Sequence, residues 1–119
     1  MIHRLIPVLL LIFTLQACEG GGVTYITDKS PAGHTTITVN ASRSVALEPW
    51  KINLQVKAYD FKEGSLKFEI YAGELKQDEN VNFDWKDENN CIISFTQSDD
   101  VVRKFQLIAT PDRVQLAEI

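Results

Sequence analysis

Side chains able to do chemistry are few and lie far apart in the chain. The densest polar group is Asp84, Asp87, Glu88, Asn89 and Asn90, hard oxygen donors of the kind calcium takes. A helical-type calcium loop needs such donors at alternate positions around a central glycine, and this segment has no glycine. It reads as a solvated turn. Asp99 and Asp100 are adjacent, so in a turn between strands they point in different directions and make a poor acid/base pair. His34 borders the turn residues Pro31, Ala32 and Gly33, and no serine stands in a nucleophile elbow. Gly20 to Gly22 precede no strand-to-helix unit, so they are not a phosphate loop. The pattern predicts no catalytic residue, no metal site and no cofactor, hence a non-catalytic protein.

Exposed aromatic rings carry more weight, because large apolar surface left in water is disfavoured unless something covers it. Alternation puts Tyr59 and Tyr71 on the polar face of one hairpin with Phe61 at its turn, while Trp50 follows Pro49 at a strand entrance. Two readings follow. In one, Phe61 and Trp50 cap the ends of the fold and the tyrosines cover lysine stems. In the other, Tyr59, Phe61 and Tyr71 form a partner-binding patch, since aromatic residues are enriched among interface anchors.

The first residues form a different pattern. Arg4 supplies positive charge, Leu5 to Leu15 are an apolar run, and Ala17 precedes Cys18. That is the layout of a secretory signal, and the run is shorter than the roughly 20 residues a membrane-spanning helix needs. Leu15-Gln16-Ala17-Cys18 resembles the lipobox of bacterial lipoproteins. The resemblance implies cleavage before Cys18, acylation of its sulfur, and a membrane contact made through those acyl chains. Glu19, in place of the aspartate that retains enterobacterial lipoproteins in the inner membrane, resembles the outer-membrane class, facing the periplasm. An ordinary signal with a cysteine at its cut site is the alternative. Residues 1–17 are thus expected to be a signal, residues 18–22 an anchored cysteine with a glycine-rich flexible tether, and residues 23–119 a single domain.

Cleavage would leave 102 residues, enough for one core. Arg4 goes with the signal, so 11 basic side chains face 16 acidic ones and the net charge becomes −5. An acidic domain is a poor match for nucleic acid, and it should stand off anionic headgroups on its tether. With Cys18 acylated, Cys91 has no partner for a disulfide, and the alternation of Cys91, Ile93 and Phe95 marks it as a buried apolar thiol.

From Val23 onward apolar residues alternate in short runs separated by turn residues, which predicts an all-β domain. Strands are expected at 23–27, 35–40, 50–59, 65–72, 80–85, 91–97, 101–110 and 113–119. A loop at Lys62-Glu63-Gly64 would set Val56 against Ile70 and Lys57 against Glu69. A loop at 86–90 would set Trp85 against Cys91, Phe83 against Ile93 and Val81 against Phe95. A loop at 99–101 would set Phe95 against Phe105 and Ile93 against Leu107. The last hairpin is expected to need a bulge or a change of sheet near Pro111. Thr35 to Val39 is the expected sheet edge.

Seven or eight such strands predict a small antiparallel β-sandwich of immunoglobulin-like type, with a meander barrel as the alternative. For function, the pattern points to an envelope protein that binds another envelope protein as an accessory factor, assembly factor or inhibitor. The alternative is a β-barrel carrying a small apolar ligand or lipid in a cavity lined by Phe68, Phe83 and Phe105.

Overall fold

Strict alternation of buried and exposed side chains along β2 (Thr36–Arg43) and β3 (Trp50–Ala58) gives one sheet an apolar inner face of Ile37, Val39, Ala41, Ile52, Leu54 and Val56. The computed structural model describes residues 21–119, so the expected signal and Cys18 lie outside the described residues. β1 (Gly22–Lys29), β2, β3 and β4 (Lys62–Ile70) form this first sheet in chain order. A second sheet holds β5 (Val81–Asp87), β6 (Asn90–Thr96), β7 (Val102–Ala109) and β8 (Val114–Glu118), also in chain order. All neighbours are antiparallel. The domain is the expected β-sandwich and not a closed barrel. Each sheet is a simple meander, without the crossing connection of a Greek key.

The core fills the space between the sheets. Phe68 stacks on Phe105 at 4.2 Å between ring centroids and meets Phe95 edge-on at 5.1 Å, while Phe95 meets Phe105 edge-on at 5.7 Å. Cys91, Ile93, Phe95, Phe105 and Leu107 are fully buried around them. Four sets of polar contacts tie the sheets together at their margins. Trp85 donates its indole N–H to Asp28 at 2.8 Å. Arg103 makes two 2.8 Å bonds to Glu118 and a third to the carbonyl of Glu69. Tyr59 donates to Asn89 at 2.7 Å. Glu88 holds the turn between β1 and β2.

The registers correct several expectations. The first hairpin turns three residues early, at a 3₁₀ turn over Tyr59–Phe61, so Val56 faces Gly64 and Lys57 faces Glu63, its ion-pair partner at 3.8 Å. Face assignments survive because moving the turn by three residues changes each residue's partner by six, an even number, as from Ile70 to Gly64 for Val56. The observed register wins on apolar pairing: Trp50 meets Ile70, Ile52 meets Phe68 and Leu54 meets Leu66, whereas the expected one would set Ile52 against Glu74. Gly64 is therefore no turn residue. It lies beneath Val114, where an added Cβ would come within 2.8 Å of a valine methyl, and this lets β4 and β8 approach.

In the second sheet the expected pairs Trp85 with Cys91, Phe83 with Ile93 and Val81 with Phe95 are all present, followed by a bulge between Trp85 and Asp87. The next hairpin slips by two residues, so Ile93 meets Phe105 and Cys91 meets Leu107. A longer turn explains it, with Asp100 at φ 66° and Gln97 and Val101 joined by a backbone bond. The last hairpin needs neither bulge nor change of sheet. Its even loop, 110–113, pairs odd positions with even ones, Leu107 with Leu116 and Ala109 with Val114. Nor is 35–39 an edge: β2 lies between β1 and β3, and the first sheet's edges are β1 and β4.

Meander connectivity sends alternate turns to opposite ends. At the far end from Gly22 lie the turns β1–β2, β3–β4, β5–β6 and β7–β8. At the entry end, where Gly22 starts β1, lie the connections 44–49, 71–80 and 97–101 and the C-terminus, with Ser98 bonded to the carbonyl of Tyr71 and Ile119 to that of Lys104.

Candidate functional site

Three turns converge at the far end. Ser30 donates its hydroxyl to Glu88 and accepts the N–H of Thr35 at 3.0 Å, while the N–H groups of Ala32 and His34 donate to the same Glu88 carboxylate at 2.6 and 3.0 Å. Burial alone would raise the Glu88 carboxyl. The bonds from Ser30, Ala32 and His34, with the charge of His34 nearby, outweigh it and hold the group below its ordinary value. Glu88 is thus a clamp between the two sheets. Ser30, with both hydroxyl functions engaged, is not placed as a nucleophile.

On this clamped base the His34 imidazole stacks against Tyr59, 5.4 Å between centroids and 26° from parallel. Tyr59 is fixed in turn by Asn89. Next in the same turn is Phe61, 93% exposed and at φ 61°. Among the described residues three non-glycine residues have positive φ, and the other two, Asp78 and Asp100, are of a type that tolerates it in turns. For a bulky aromatic the left-handed region costs about 1–2 kcal/mol. Phe61 therefore carries a conformational cost with almost no burial in return.

Of the aromatic trio read from the sequence, the structure brings Tyr59 and Phe61 together and leaves Tyr71 apart. Tyr71 follows the last residue of β4 at the entry end, 60% exposed. Nine extended residues separate it from Phe61, about 30 Å at a strand's rise. Trp50 does cap an end: it is 3% exposed, donates to the carbonyl of Gly73 at 2.8 Å, and lies under the Arg43 guanidinium. Phe61 caps nothing.

The acidic run at 84–90 divides among separate tasks. Asp84 pairs with Lys86 at 2.6 Å, Asp87 accepts the N–H of Asn89, and Asn90 accepts from Gln106 at 3.3 Å. Among the described residues no three His, Cys, Asp or Glu side chains are grouped to hold a metal ion. Cys91 has no exposed surface, and burial, reinforced by the negative charges of Asp28 and Asp84, pushes its thiol up to about 12. That makes it a poor nucleophile at neutral pH.

No family model, curated protein or solved structure matches this chain. The far-end cluster has to be read from its own geometry. Sequence reasoning found Tyr59 and Phe61 but missed the participation of His34, Glu88 and Asn89. The signal was present in the turn positions: in a meander every second turn shares an end, which places 30–35, 59–61 and 88–89 side by side.

Proposed function

We propose that this chain is the precursor of a bacterial envelope lipoprotein, anchored through acylated Cys18 in the outer membrane facing the periplasm, whose sandwich is a non-catalytic module for binding another envelope protein. Accessory factor, assembly factor or inhibitor are the roles this fits. The observation that carries it is Phe61, exposed and held in a strained conformation on a clamped base of Tyr59 and His34. A side chain that gives the fold nothing and costs it stability is best explained by an external contact. β1 runs from the anchored end to this tip over about 25 Å, so the tip points away from the membrane. The stacked phenylalanines fill the space that a carrier of small apolar ligands would keep open, which favours protein binding over ligand carriage. Two open hollows lie on the first sheet, one bordered by Tyr25, Thr38, Gln55 and Lys57 and a shallower one bordered by Asn40, Lys51, Lys67 and Phe68, and neither is an enclosed cavity.

Two measurements test the proposal. A photo-crosslinking residue at position 61, expressed in the native host, should capture a defined envelope protein, and one at Lys104 should not. Equal capture at both sites, or none at 61, removes the binding reading. For the anchor, Cys18→Ala should abolish acylation and leave unprocessed precursor. Normal cleavage of that variant would show the lipobox reading to be wrong.

A further inference from the structure

Exposed large apolar side chains are unevenly placed. Val23, Val45, Leu47, Tyr71, Val101, Val102 and Ile119 lie at the entry end, against Phe61 at the far end and Tyr25 in mid-strand. Leu47, 90% exposed, is the most prominent of them and sits in the connection between β2 and β3. That connection is also where the chain enters. Gly21 passes so close to Ser44 that an added Cβ would come within 2.0 Å of the Ser44 carbonyl oxygen. The backbone of Gly21 is therefore seated against the loop that carries Val45 and Leu47.

This fixes how far the domain could stand from an anchor. Residues 19 and 20 alone separate Cys18 from Gly21, three Cα–Cα steps that span at most about 11 Å. Headgroups alone occupy several ångströms on each side of the roughly 30 Å hydrocarbon layer. A tether this short keeps the 44–49 loop within about 11 Å of the anchored cysteine, at the level of the headgroups or just above them.

We infer that the entry end of the sandwich rests in the lipid interface, with Val45, Leu47, Tyr71 and Val101 inserted among the headgroups. The inference depends on the lipoprotein reading of Cys18. Charge selects the kind of surface: Glu48 shares the 44–49 connection with Leu47, and Asp99 and Asp100 share the 97–101 connection with Val101, so these acids would be repelled by anionic lipid, whereas Glu74 and Glu79 are paired with Lys76 at 3.9 and 4.0 Å and a zwitterionic surface offers no such barrier. Tyr71 suits the site, since an aromatic ring with a hydroxyl partitions to the headgroup level. The domain then stands upright and presents Phe61 outward.

The test uses acylated protein purified from membranes and reconstituted in phosphatidylcholine vesicles, with an environment-sensitive fluorophore on Leu47→Cys, Val101→Cys or Phe61→Cys. Buried Cys91 does not compete for the label. Labels at 47 and 101 should shift to the blue and lose intensity when headgroup-nitroxide lipid is added, and the label at 61 should do neither. Water-like emission at 47 and 101 in protein that floats with the vesicles overturns the inference while leaving the anchor intact. If those two labels become buried only in native membranes, a protein covers this end and the inference is equally overturned. Failure of the acylated chain to float at all would defeat both the anchor and the inference.

Discussion

Replacing Phe61 with glycine is expected to stabilise the domain, although it deletes an aromatic side chain of the turn Tyr59–Phe61. The left-handed backbone at φ 61° costs phenylalanine about 1.5 kcal/mol and glycine nothing. Against that gain, glycine adds freedom to the unfolded chain, worth about 0.5 kcal/mol. At 93% exposure the ring covers about 15 Å² of the roughly 200 Å² it could bury, or about 0.4 kcal/mol at roughly 25 cal/mol per Å². The net is a gain of about 0.5 kcal/mol. Alanine is the control, because it removes the same ring but keeps the Cβ and the strain, so Phe61→Ala should lose about 0.4 kcal/mol. The contrast between the two variants, about 1 kcal/mol, corresponds to about 5 °C in thermal unfolding for a domain of this size. Calorimetry of both variants reads it directly. Equal melting temperatures for glycine and alanine would refute the strain argument. A loss above about 1 kcal/mol in both would mean that the ring is packed, and the case for an outward-facing anchor would fall with it.

Glu88→Gln should lower the urea midpoint at pH 7. The folded-state pKa of Glu88 lies below its unfolded value, so its contribution is present at neutral pH and lost as pH falls through the folded value. Wild type and variant should therefore converge in acid, and an unchanged gap at pH 2 would contradict the clamp. Cys91, buried with its thiol near 12, should resist alkylation in the native protein at pH 8 and react fully in guanidinium. Rapid native labelling would mean that β6 opens. Phe105→Ala removes a ring stacked at 4.2 Å on Phe68 and should cost about 3–5 kcal/mol, read as a fall in denaturant midpoint. A cost under about 1 kcal/mol would place the core elsewhere.

Fold class was legible because alternation is a local property. A strand with one face buried must place apolar residues at every second position, and Ile52, Leu54 and Val56 or Cys91, Ile93 and Phe95 announce this without any knowledge of their partners. Pairing was legible where a single loop length satisfied the apolar pattern, as at 86–90, and illegible where several even shifts satisfied it equally. Moving the first hairpin by three residues leaves every side chain on its face. What selected the observed turn was the total apolar contact along nine pairs from Trp50 to Ala58, a sum over the whole ladder that outweighed the local attraction of a glycine at position 64.

The candidate site divides in the same way. Local sequence marked Phe61 as an aromatic residue at a turn, Cys91 as a core residue, and the Leu15-Gln16-Ala17-Cys18 segment as resembling a lipobox; each depends on neighbours a few positions away. That Tyr71 belongs to one end and Tyr59 to the other, that His34 and Glu88 support the aromatic tip from turns 25 or more residues away, and that the apolar loops gather where the chain enters depend on which turns share an end. Only the packing of two meanders against each other decides that, because contacts between sheets join residues whose separation along the chain carries no periodic trace.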